Sequence, residues 1–218
     1  MFENRAEAGL QLAKALKSYE NEHPIILAIP RGGIIPGAII AKKLDADFSV
    51  IITRKLGLPA HPEAAFGAIA EDKSLYLNPM VQEMLSKEVI EKVITKEEKE
   101  IKRRITQYRK GQALPPLRDR TVILVDDGIA TGSTLFVAID LCKKQKAAKI
   151  VVAAPVSGIS VREKLIAKAD EVVILESPED YYAVSQAYRH FKNLSDNEVL
   201  QWIGNSNRLK RETDNKSS

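Results

Sequence analysis

The chain predicts an α/β fold built on a parallel, doubly wound sheet, and three observations carry that expectation. Short, mostly apolar runs recur at 24–29, 122–125, 149–154 and 171–175. Strands covered on both faces read this way, because neither face meets water. Segments with apolar residues at helical spacing alternate with these runs, as right-handed βαβ units require. Loops rich in Gly, Ser and Thr stand where strands end. In open parallel sheets, ligands bind at those ends.

The elements follow in order. Residues 3–19 place Ala6, Leu10, Ala13 and Leu16 at helical spacing. PIILAI at 24–29 is a strand, PRGG at 30–33 a loop, and 34–44 a helix with small residues at Gly37, Ala38 and Ala41. The next strand spans 48–53. Residues 54–73 read as loop, punctuated by Gly57, Pro59, Pro62 and Gly67. A small strand at 74–77 precedes one long helix at 79–110, with a break near Ser86. A linker with two prolines, 111–120, leads back to the strand at 122–125. Helix 133–146, strand 149–154, helix 159–168 and strand 171–175 complete the alternation. This describes a single domain over 1–204, with an insertion at 74–115. The polar residues 205–218 read as a disordered tail.

Composition narrows the function classes. Lys and Arg number 33 against 29 Asp and Glu, a net charge of +4 in 218 residues. The two signs are interspersed, so anionic ligands are allowed and nucleic acid is not indicated. Cys142 is the single cysteine, which rules out a disulfide within the chain, and no Cys/His cluster suits zinc. No apolar stretch approaches the ~18 residues of a membrane span, and the start lacks an apolar signal core. A cytoplasmic protein with no membrane partner is expected.

The segment 86–110 is highly charged. Glu98 with Lys102 and Glu100 with Arg104 stand in the favourable i,i+4 order, worth about 0.2–0.5 kcal/mol each. A solvated helix, docked by Val89, Val93, Ile101, Ile105 and Tyr108, accounts for this. A basic face for an anionic partner, or a homodimer contact, is the competing reading.

The run 122–134, VILVDDGIATGST, concentrates the chemistry. A buried strand ends in Asp126 and Asp127, and a small-residue turn then opens a helix. The helix N-terminus presents free N–H groups and a positive dipole end, so Ala130, Thr131, Gly132, Ser133 and Thr134 can hold a phosphate. The two carboxylates accept hydrogen bonds and suit the paired hydroxyls of a ribose. Two like charges at one strand end repel, so neutralising both is expected to leave the fold at least as stable. Gly132→Val is expected to crowd the phosphate without disturbing the fold. The bland alternative is an ordinary βα turn with solvated aspartates. No Lys follows the second glycine as in a Walker A loop, and no G-x-G-x-x-G occurs.

The same thirteen residues resemble the signature of the type I phosphoribosyltransferases, which bind phosphoribosyl diphosphate (PRPP). The resemblance implies that family's sheet, with a small C-terminal hood at 176–203 and a long charged helical insertion. It also implies Mg²⁺ as cofactor, held mainly by substrate and water and by no protein ligand directly. PRPP and a nitrogenous base or nucleoside monophosphate would be the partners, and diphosphate the leaving group. By resemblance, Arg31, Gly32 and Gly33 form the diphosphate loop. The family often has a cis peptide between non-proline residues there, which places one at Pro30–Arg31. The family's mobile basic loop falls at Arg54 and Lys55, with His61 as a further donor; Arg54, Lys55 and His61 are the candidate catalytic residues. In the hood, Tyr182 is the candidate for stacking on the base. The competing reading has Tyr181, Tyr182, Tyr188 and Phe191 packing the cap on the core. Some purine enzymes carry an acid where this chain has Ala130, so purine specificity does not follow.

Two rivals remain at this stage. One is a regulatory module that binds PRPP or a nucleotide without turnover. The other is a partner-binding scaffold on a degenerate site, against which the complete phosphate loop counts.

Overall fold

A computed structural model describes residues 1–59, 61 and 64–214. Five parallel strands form the central sheet: β1 (Ile25–Ala28), β2 (Asp47–Val50), β6 (Thr121–Val125), β7 (Lys149–Val156) and β8 (Glu171–Glu176), in the order β2-β1-β6-β7-β8. In register, Ile25 stands beside Asp47 on one side and Val122 on the other. The expected parallel sheet is present, and its side chains explain the apolar runs. Ile25, Leu27, Val122, Leu124, Ile150 and Val152 point to one face. There they pack on α5 (Ser133–Lys144) and α6 (Ile159–Ile166). Ile26, Ile123, Val125, Val151 and Ala153 point to the other, against α1 (Arg5–Ala15) and α2 (Ile34–Lys43). With period-two alternation feeding two cores, the buried positions of the inner strands β1, β6 and β7 are apolar.

Local chemistry sets several boundaries. The Asn4 side chain accepts from the N–H groups of Ala6 and Glu7 at 2.9 and 3.0 Å, starting α1. Ser86 caps the 23-residue helix α4 (Lys87–Arg109) by accepting from Val89 N–H, and the short helix α3 (Pro79–Gln82) precedes it. The break near Ser86 is therefore a new helix start.

The stretch 54–73 departs from expectation. It forms β3 (Thr53–Gly57) and β4 (Ala65–Ala70), which join β5 (Leu75–Leu77) in a separate antiparallel sheet of order β3-β4-β5. Of the glycine and proline signals, Gly57 ends β3, Pro59 follows it and Gly67 lies inside β4, while Pro62 is outside the described residues. Ala65–Ala70 is made of small residues with little strand preference, and pairing on both sides decides its conformation. A side chain at Gly67 would run into the Tyr76 carbonyl at 2.2 Å, so the close strand approach requires glycine there. The expected strand 48–53 is correspondingly split between the two sheets.

A third core joins this small sheet to α4 and to α7 (Asp196–Asp214), through Leu56, Phe66, Ile101, Tyr108, Val199 and Ile203. Helix α7 runs on to Asp214, through residues expected as a disordered tail from 205. Burial of Val199 and Ile203 starts that helix, and the residues beyond extend it by propagation. Residues 215–218 lie outside those described. No helix among the described residues is long and apolar enough to cross a membrane.

Candidate functional site

The carboxyl ends of β1 and β6, the start of α5, strand β3 and the amino-terminal half of α4 enclose a cleft of about 1190 Å³. It gathers Arg31, Gly32, Arg54, Lys55, Asp126, Asp127, Ala130, Thr131, Gly132 and Thr134. These come from three separate segments, and α4 adds a fourth, so the topology alone brings them together. Gly33 and Ser133 stand directly behind the lining.

The first wall whose free N–H groups could hold an anion is the start of α5. No side chain caps this helix, and Phe136 N–H makes the first intrahelical bond, to Gly132 C=O at 2.9 Å. The N–H groups of Ser133, Thr134 and Leu135 precede that bond. Gly132 has φ +75°, and a Cβ there would meet Val161 at 2.9 Å and Phe136 at 3.1 Å. The turn therefore depends on glycine for conformation and for packing alike. Thr131 and Ser133 hydroxyls lie 3.4 Å apart beside it.

The second wall is the loop after β1. The Pro30–Arg31 peptide is cis, where the resemblance placed it. Gly33 begins α2, and a Cβ on it would strike the Val125 carbonyl at 2.3 Å. A Cβ on Gly32 would fall 2.2 Å from the Asp127 carboxylate. The loop and the acid pair are thus in direct contact, and bulk at either glycine would push them apart.

The two aspartates are not equivalent. Asp127 is buried, and its Oδ2 accepts from Arg5 Nε at 2.6 Å. Arg5 is buried too; it donates to Lys192 C=O at 2.7 Å and lies 4.2 Å from the centre of the Phe191 ring. Tyr188 OH donates to the Asp127 backbone carbonyl at 2.5 Å. Asp126 faces the cleft with no cation bonded to it; its Oδ1 accepts from Asp127 N–H at 2.9 Å. Burial, and then the neighbouring Asp127 charge, raises the Asp126 carboxyl above its ordinary value, while Lys55 opposes the rise.

The basic residues divide likewise. Arg54 donates to Glu97 Oε2 of α4 at 2.7 Å, so its charge is already paired. Lys55 and Arg31 are exposed at the cleft, and neither forms an ion pair among the described residues. Thr53 is buried on the same wall, and its hydroxyl has no hydrogen-bond partner.

Two candidates stay outside. His61 is exposed in the turn between β3 and β4, where its N–H bonds Leu58 C=O at 3.1 Å, and it does not line the cleft. Tyr182 is 79% exposed and also absent from the lining. The hood reaches the cleft through Val184, while Tyr181, Tyr188 and Phe191 pack on Phe2, Ala8 and Val156. One position before Tyr182, the buried Tyr181 hydroxyl sits close behind Gly128 with no partner.

Sequence reasoning missed Arg5 because an arginine 122 positions from its carboxylate leaves no local signal. It also missed the contribution of α4 to the cleft. Val89, Lys92, Val93, Lys96 and Lys99 line it, and the i, i+4, i+7 spacing of the lysines was legible in the sequence.

Known proteins share this arrangement. Residues 5–191 match the family model for the phosphoribosyl transferase domain. Two Mycobacterium tuberculosis proteins, whose names assign them provisionally to the phosphoribosyl transferases, are 38% identical over 210 residues, 95% of this chain. The match covers 47% of each, so the chain spans about half the length of the curated relatives it matches. The crystal structure of TT1426 from Thermus thermophilus is similar over 93% of this chain and 97% of its own, at 33% identity and a TM-score of 0.77. A Neisseria gonorrhoeae protein solved with bound ppGpp matches over 98% of both chains, at 14% identity and a TM-score of 0.51, which speaks to the fold alone. An acid pair touching a glycine loop beside an uncapped helix is the local counterpart of a match that runs through nearly the whole sheet, and the chain belongs to the phosphoribosyl transferase domain family.

Proposed function

We propose that the protein is a phosphoribosyltransferase that binds PRPP and transfers its 5-phosphoribosyl group to a nitrogenous base, releasing diphosphate. One observation carries this reading. Two anion-binding backbone walls, at Arg31–Gly32 and at the start of α5, flank a carboxylate in a single cleft. PRPP likewise presents two anionic groups on either side of a ribose diol.

In this reading the 5′-phosphate sits on Ala130–Thr134 and the diphosphate on Arg31 and Gly32, with Gly33 supporting the loop. Asp126 accepts from the ribose hydroxyls. Asp127, turned by Arg5, fixes the backbone next to it and offers its second oxygen. Lys55 neutralises charge as diphosphate departs. The chemistry needs positioning and charge stabilisation more than a covalent intermediate.

Asp126 supplies hard oxygen donors in a cleft where substrate oxygens would supply more, a donor set that fits Mg²⁺. Bound there, the ion would neutralise diphosphate charge. Asp126 is the residue to hold it, directly or through water.

Calorimetric titration with PRPP and Mg²⁺, followed by a diphosphate-release assay over a panel of bases, tests the proposal. Binding with release supports transfer. Absence of PRPP binding overturns it. A second reading, a PRPP or nucleotide sensor without turnover, draws on the pairing of Arg54 with Glu97, which withdraws one cation from the leaving group. Binding without release for any base would favour that reading.

A further inference from the structure

The cleft holds more positive charge than PRPP engages in the reading above. Lys92, Lys96 and Lys99 project from one face of α4 into it. In the carboxyl-terminal half of this helix most other charges are paired, while Glu88 and Glu91 of its first turns do not line the cleft. Glu97 pairs with Arg54, Glu98 with Lys73 at 3.3 Å, and Glu100 with both Arg103 and Arg104 at 2.7 Å. Arg103 also reaches Asp196 at 3.1 Å. The three cleft lysines form no ion pair among the described residues, and Glu97, the acid beside them on the lining, is bound to Arg54. Asp127 is likewise bound to Arg5, which leaves Asp126 as the unpaired carboxylate among the described lining residues.

A row of ammonium groups on a rigid helix, with low-dielectric walls formed by Val89, Val93 and Leu58, concentrates positive potential inside the cleft. Each exposed lysine alone would contribute little. Three on one helix face lining the same cleft can act on one anion together, and the cleft is larger than a single small ligand fills.

We propose that the lysine face of α4 is an anion subsite for the acceptor, so that the base carries a carboxylate and is not a neutral heterocycle. The inference rests on the phosphoribosyltransferase reading and names its substrate class. The 5′-phosphate and diphosphate have their own backbone walls. The lysines remain for a third negative group, and an acceptor carboxylate supplies it while its ring nitrogen faces the ribose carbon.

Matched nucleotides test this on the full chain by titration calorimetry. Orotidine 5′-monophosphate and uridine 5′-monophosphate differ only in a base carboxylate. Nicotinate and nicotinamide mononucleotides form a second pair, with the charge placed elsewhere. Wild type is expected to bind the carboxylated member at least tenfold more tightly in one pair or both. The preference should shrink as salt is raised. In Lys92→Gln/Lys96→Gln/Lys99→Gln it should fall below threefold, because the carboxylated member loses at least threefold more affinity than its partner without the carboxylate and than PRPP. All three residues are exposed, so the fold should survive, which circular dichroism and Tm check. Equal affinity within both pairs overturns the proposal. So does a tenfold loss of PRPP or inorganic diphosphate affinity in the triple variant with the base preference intact, which would assign the lysines to the leaving group. If wild type binds neither PRPP nor any nucleotide, the phosphoribosyltransferase reading itself fails, a result distinct from the other two.

Discussion

At the scale of single residues, the acid pair is two different devices. Asp127 and Arg5 form a buried ion pair, and removing one partner leaves the other charged and uncompensated. Arg5→Met is expected to destabilise the protein by about 3–5 kcal/mol in a urea titration. A loss below about 1 kcal/mol would show that the pair contributes nothing. This reverses the expectation that both acids can be neutralised without cost, because only Asp126 behaves that way. Its carboxyl is raised by burial and by Asp127, so the folded state holds the proton more tightly than the unfolded chain. Below the unfolded value of about 3.9 both states are protonated and Asp126→Asn should match wild type. As pH rises above that value wild type loses stability, and the variant does not. In metal-free protein the Tm of Asp126→Asn should therefore exceed wild type at pH 7, with the gain vanishing near pH 3. PRPP affinity should fall at least tenfold, and a variant that binds PRPP normally would remove Asp126 from the site.

At the scale of elements, the start of α5 ties ligand binding to folding. Gly132 has a positive φ and is pressed by Val161 and Phe136, so Gly132→Val should cost stability as well as affinity, by about 1–3 kcal/mol for the backbone alone. The idea that this substitution spares the fold came from reading the glycine only as room for phosphate. Thr134→Val separates the two effects. Thr134 lines the cleft, and removing its hydroxyl should weaken PRPP by about tenfold, the worth of one hydrogen bond to a charged group, with Tm nearly unchanged. Isothermal titration and a melting curve on the same sample decide it, since a change in Tm without loss of affinity would mean the hydroxyl is structural. On α4, one polar helix serves two purposes: Ile90, Ile101 and Tyr108 hold it to the small sheet, and its lysines face the cleft.

At the scale of the whole molecule, the cleft is built where four segments meet, so a ligand there binds the folded state alone. PRPP at about 100 times its Kd should stabilise the protein by about 2.7 kcal/mol. For a chain of this length that corresponds to a rise in Tm of about 5–10 °C. A thermal-shift measurement with PRPP and Mg²⁺, showing no rise at any concentration, would count against a preformed site. The rise should be smaller in Asp126→Asn than in wild type.

The sequence by itself determined the parallel sheet and the position of the glycine turn that opens α5 beside the acid pair. Both are written locally, in apolar runs that two cores demand and in a strand, an acid pair and a small-residue turn that follow one another along the chain. Tertiary structure decided what depends on partners distant in sequence. Ala65–Ala70 is a strand because β3 and β5 pair with it, and its small residues announce nothing. Tyr182 is exposed while its neighbour Tyr181 is buried, a choice made by how the hood lies on Phe2, Ala8 and Val156. Asp126 and Asp127 are adjacent and chemically identical, and only the arrival of Arg5 from α1 makes one a structural anchor and leaves the other open to the cleft. Local pattern specifies an element, whereas the charge state of a site is set by whatever the fold brings within hydrogen-bonding distance.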